Sequence, residues 1–178
     1  VPADADYCIL LERAGIGLSH ARLAEDRPLT DEELLAYLVH SRVTEQRAAE
    51  EVELQHKLFA DDPELGKVIR TIAADEENHL AYCHEELLRM VERGHGARVY
   101  AMLRHYAQVE IRAYRDVSLA VMRNMGEILG WSRAKRGVLA FGIRVIYQIE
   151  RLFTWRRMTT LREPARKNAL GVHTPLRA

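Results

Sequence analysis

Apolar positions recur every three to four residues along four stretches of about 30 residues each. Leu34, Leu38, Ala48, Val52 and Phe59 form one stripe, and Leu65, Ile69, Ile72, Leu80, Cys83, Leu87 and Met90 a second. Val99, Leu103, Ala107, Ala113, Val117 and Val121 form a third, and Leu139, Ile143, Ile146 and Phe153 a fourth. This is the period of an α-helix that buries one face. No alternating run of useful length predicts a strand.

The end signals agree with the stripes. Thr30 and Glu33 read as a capping box, with Asp31 and Glu32 in the first turn, and predict a helix from there to about Ala60. Asp62-Pro63 reads as the N-cap and first residue of a second helix, reaching about Glu92. Gly94-His95-Gly96 ends it, and a third helix follows from about Ala97 to Met125. Gly126 and Gly130 bracket a loop, Ser132 caps a fourth helix to about Leu161, and Pro164 stops it. A shorter amphipathic helix is expected around residues 6–25, weakened by Gly15 and Gly17. The expected fold is therefore all-α: a four-helix bundle over 30–162, an N-terminal helical segment 1–29 packed on it, and a tail at 163–178.

Composition narrows the class. The 178 residues suit one domain, and no uninterrupted apolar run is long enough for a membrane span. The opening Val1-Pro2-Ala3-Asp4 has neither a basic start nor an apolar core, so no secretory leader is expected. Cys8 and Cys83 make no disulfide framework, which suits a reducing compartment and a cytoplasmic location. Lys plus Arg and Asp plus Glu both number 26. The balance conceals a split: residues 1–92 hold 21 acids and 9 bases, and residues 93–178 hold 5 acids and 17 bases. A basic half permits a partner-facing surface, but the balanced whole argues against a dedicated nucleic-acid binder.

Each stripe is interrupted near its middle by a carboxylate. These are Glu45 on the first helix, Glu76 on the second with His79 one turn later, Glu110 on the third and Glu150 on the fourth. Buried carboxylates are costly alone and repel together, so protons or cations must neutralise them. A pair of metal ions is the simplest compensation. Glu45 and Glu76 stand at similar distances from the turn between their helices, so at ~1.5 Å rise per residue they share a level. The competing reading for Glu110 is an ion pair with Arg112 or Arg144, and for Glu150 a pair with a basic residue of the third or fourth helix. Glu53-Leu54-Gln55-His56 repeats the Glu-x-x-His spacing, but Glu53 lies off the inner face and His56 returns to it about three turns from Glu45, too far to complete the same site, and His84 is expected at the surface.

An inward Glu45 followed by Glu76-Glu77-Asn78-His79 on the next helix resembles the half-site of the ferritin-like superfamily, in particular its rubrerythrin and bacterioferritin-type members. The resemblance implies iron, as two ions, with manganese or zinc as alternatives. It implies Glu45, Glu76, His79, Glu110 and Glu150 as ligands, and a di-iron or iron–manganese oxidoreductase acting on O2, peroxide or Fe2+. Two features depart from the family pattern. Phe153 stands where the second histidine is expected, and only Arg93 to Gly96 reads as loop where the family has a long crossover. The chain has no Cys-x-x-Cys pair, so redox turnover needs an external electron donor. The alternative is a metal-free or single-metal bundle serving as an interaction scaffold. The fourth helix is apolar nearly all round, which calls for cover from the N-terminal segment or from a second copy in a homodimer or larger homo-oligomer.

Overall fold

The computed structural model describes residues 2–161, and these are helical with no strand among them. The expected tail at 163–178, with Pro164, lies outside the described residues. Six α-helices follow in order: α1 (Tyr7–Arg13), α2 (His20–Leu23), α3 (Asp31–Leu58), α4 (Leu65–Met90), α5 (Gly96–Ile128) and α6 (Arg133–Ile149). The segment expected as one helix around 6–25 is thus two short helices broken at Gly15 and Gly17.

α3 starts where the capping box places it. The Thr30 side chain accepts from the Glu33 amide at 3.3 Å, and the Glu33 carboxylate accepts from the Thr30 amide at 2.8 Å. Arg22 of α2 donates to the same carboxylate at 2.5 and 2.9 Å, which ties the N-terminal segment to the start of α3. Thr30→Ala should cost about 1 kcal/mol in urea unfolding, since one first-turn amide loses its acceptor. An unchanged midpoint would remove the box from the stabilising contacts.

The order of the helices is up–down–up–down. Glu45 meets His79 and Cys83 meets Ser41, so α4 runs against α3. Arg47 meets Glu110 and Glu51 meets Tyr114, so α5 runs along α3. Arg115 meets Tyr147 and Arg136 lies on Gly126, so α6 runs against α5. There is no crossover between α4 and α5. A π turn, Val91–His95, joins them directly, and Gly94 takes φ 95°, a value that glycine adopts without steric cost. Gly126, expected in a loop, is inside α5. A Cβ there would sit 2.8 Å from Cδ of Arg136, so its bare backbone lets α6 approach.

The packing is a row and not a closed square. α4 packs on α3, α3 on α5, and α5 on α6, while α4 and α6 do not meet. α1 packs on α5, so the N-terminal segment does not cover α6. The core collects at the end of the row where α4 turns into α5. There Leu35, Val39 and Val43 of α3 meet Leu87 of α4, Val99 and Leu103 of α5, Leu11 and Met158. At the other end burial is sparse, and large apolar side chains remain exposed on α3, α4, α5 and α6. Regular α6 ends at Ile149, short of the expected Leu161. A π turn (Glu150–Thr154) and a 3-10 turn (Trp155–Met158) then carry the chain back over α3 and α5. Among the described residues no helix is long and apolar enough to cross a membrane.

Candidate metal centre

α3 carries two chemically distinct centres on opposite faces. Glu45 and Arg47 are two residues apart, about 200° around the helix at ~100° per residue. Glu45 therefore looks toward α4, and Arg47 toward α5 and α6.

On the α4 side, Glu45, Glu76 and His79 each bring one ligand atom within 4.8 Å of the others. The i, i+3 spacing puts Glu76 and His79 on one face of α4, and the antiparallel α3–α4 hairpin brings Glu45 to the same height. His79 Nδ1 is 3.8 Å from Glu45 Oε1. Burial first, and then the Glu76 carboxylate beside it, push Glu45 from its ordinary 4.5 up to about 8. Glu76 Oε2 is buried and receives no N–H or O–H donor from the described residues, which suits a proton held between the two carboxylates or a cation. Burial and the Glu45 charge also push the neighbouring Cys83 thiol up to about 11, which keeps it protonated at neutral pH. His79 is the open side of the cluster, with 64% of its side chain exposed. Two carboxylates and one imidazole are a donor set for Fe2+, Mn2+ or Zn2+.

On the other face, the two remaining sequence-predicted ligands do not join this cluster. Glu110 is fully buried, and Arg47 grips it through Nε at 2.9 Å and Nη2 at 3.0 Å. Tyr7 of α1 donates its hydroxyl to the same carboxylate at 2.8 Å. Glu150 accepts from Arg47 at 2.8 and 3.1 Å and from Arg157 at 2.6 Å. Glu110 and Glu150 are therefore neutralised by arginine, and the expected four-carboxylate convergence is replaced by a guanidinium between two of them. Both carboxylates nonetheless reach one level, where they share Arg47. The arginine is the part that differs: neither Arg112 nor Arg144 takes Glu110, and the partner is on α3.

Charge follows from these contacts. Burial opposes the charged form of Arg47, but Glu110 and Glu150 hold it well above its ordinary range. Burial would raise Glu150, yet the hydrogen bonds and charges of Arg47 and Arg157 hold it below. Burial and the adjacent Glu110 keep the Tyr7 phenol protonated throughout the accessible range. The Arg47 guanidinium also stacks on the Tyr114 ring, 4.0 Å from its centroid. A cavity of about 350 Å3 opens beside it, walled by Ile111, Ile143 and Ile146.

Glu45, Glu76 and His79 come together as their helical spacing predicts, whereas Arg47, Tyr7 and Arg157 join the other centre without having been expected there. The spacing Leu35, Val39, Val43, Arg47 continues a stripe in steps of four, and that was the available signal for an inward arginine. Nothing comparable marks Tyr7. His84, expected at the surface, is buried on the core side of α4. Compared with protein-family models, curated proteins and solved structures, the chain finds no match.

Proposed function

We propose that this chain is a ferritin-like metal-binding protein whose centre has contracted to one divalent ion, held by Glu45, Glu76 and His79. The observation that carries the reading is the pairing of two carboxylates with an imidazole across adjacent helices, where the carboxylates lie close enough to share a proton. A cation replaces that proton without moving the helices. Iron or manganese at this site, open on the His79 side, would supply redox chemistry toward O2 or peroxide, with electrons from an external donor. Hard oxygen donors with one nitrogen suit those ions.

The contraction to one ion rests on Arg47. A fixed cation between Glu110 and Glu150 does the work that a second metal would do, and it leaves neither carboxylate with a free pair of oxygens. The same arginine favours a second reading, in which the bundle binds no metal and serves as a scaffold. Titration separates the two. With Co2+ as a spectroscopic probe, and with Fe2+ under anaerobic conditions, the full chain should take up one equivalent. Affinity should rise from pH 6 to about 8, because the proton on Glu45 must leave for the ion to enter. Two equivalents would restore a two-metal centre, and no uptake of Co2+, Fe2+, Mn2+ or Zn2+ would leave the scaffold.

A further inference from the structure

α4 and α6 close the two ends of the helix row, and each turns an apolar stripe to solvent. On α6 and the turn after it, Val138, Phe141, Val145, Ile149 and Leu152 follow one another at helical spacing, with Val138 71% and Phe141 68% exposed. On α4 the exposed stripe is Leu65, Val68 and Ile72, and the same spacing carries it on to His79. The two stripes lie on hairpins of opposite charge. α6 has Arg133, Lys135, Arg136 and Arg144 and no acid, whereas residues 61–79 hold six acids and two bases. Within one chain these faces do not meet.

We propose that the two faces meet between copies: α6 of one protomer docks along α4 of a second, and the second returns the contact. Three observations select a second copy as the occupant. First, the faces are complementary in charge, and one chain carries both, so a two-fold pairing uses each of them once. Second, the α6 stripe exposes roughly 500 Å2 of apolar surface and the α4 stripe roughly 250 Å2, taking ~150–200 Å2 for each side chain when fully exposed, and a pairing that covers both on each protomer comes near what one partner buries in a stable pair. Third, the row lacks one helix–helix seam, the one between α4 and α6, and this contact supplies it twice in trans. The partner's α6 then lies over His79 and closes the open side of the carboxylate cluster. The association does not depend on a metal, and its test reads association alone.

Sedimentation velocity on the full chain, metal-free, should give a dimer at micromolar concentration that weakens as salt rises. Phe141→Asp with Val145→Asp, and separately Val68→Asp with Ile72→Asp, should each weaken the dimer by about 100-fold or more. All four positions are exposed or half-exposed, so circular dichroism should show unchanged helix content. A monomeric wild-type chain overturns the proposal. So does a dimer that survives either pair of substitutions, since a contact of α6 on α6 would ignore the α4 pair. A monomer that cosediments with vesicles of phosphatidylcholine and phosphatidylserine would assign the basic apolar face to an anionic membrane surface, and also overturns it. Hydrogen exchange on the wild type guards against misfolded variants: protection in α4 and α6 should rise together with protein concentration, and independence of concentration counts against the pairing.

Discussion

Arg47→Met should cost about 3–5 kcal/mol of folding stability, the largest loss expected from any single surface-neutral change in this chain. The methionine fills much of the same volume, so packing alone predicts a far smaller loss. The cost arises because Glu110, fully buried, loses its cation, while Glu150 keeps only Arg157. Tyr7 still donates to Glu110, but one neutral hydroxyl does not balance its buried charge. Urea unfolding of wild type and variant measures the difference. A companion variant identifies its source: Arg47→Met combined with Glu110→Leu and Glu150→Leu should recover most of the loss, because a buried ion cluster replaced whole by apolar groups is often neutral. A loss under about 1 kcal/mol for the single variant would mean that the cluster is hydrated and holds little.

Glu76→Gln should separate stability from metal binding in opposite directions. Uptake should fall by more than about 100-fold, since even groups behind a ligand are worth 10–100-fold in metal affinity. The metal-free protein should become more stable. Burial and Glu76 raise Glu45 from 4.5 to about 8, so between those values the folded protein keeps a proton that the unfolded chain has released. Stability is therefore lost as pH rises through this window, and an uncharged neighbour returns part of it. The gain should be absent near pH 4 and reach about 1 kcal/mol or more at pH 8. Thermal melts across that range check it. A variant less stable than wild type at pH 8 would show that the two carboxylates are not in conflict. His79→Ala, which removes only the exposed ligand, should weaken uptake without the stability gain.

The two centres differ in how legible they were. Glu45 and the Glu76–His79 pair sit on neighbouring helices joined by a six-residue turn, so helical rise and spacing alone set their relative positions. Glu110 and Glu150 also lay on the stripes that the pattern assigned them. Their partner could not be read the same way. Four inward carboxylates call for positive charge, and the pattern does not say whether an ion or a side chain provides it. Arg47 provides it from α3, a helix flanked by α4 on one side and α5 on the other. The apolar character of α6 was equally plain, but not its consequence. Leu139, Ile143, Ile146 and Phe153 were expected inward, while Tyr147 is the residue that α5 buries, and Ile146 and Phe153 face solvent.

Sequence alone determined what depends on neighbours along the chain: four long helices, the capping box at Thr30, the turn at Gly94, and a carboxylate–histidine triad within one hairpin. Its physical basis is local, because hydrogen bonding, capping and periodicity act over a few residues. Tertiary structure alone decided which helix faces which. It turned an expected square into a row that leaves α4 and α6 apart, and it put a guanidinium from α3 between two carboxylates of α5 and the turn after α6. Those outcomes depend on how long side chains from distant segments share one buried space. The ion pair that joins Arg47 to Glu110 spans 63 residues of chain, and no periodicity along one helix carries that information.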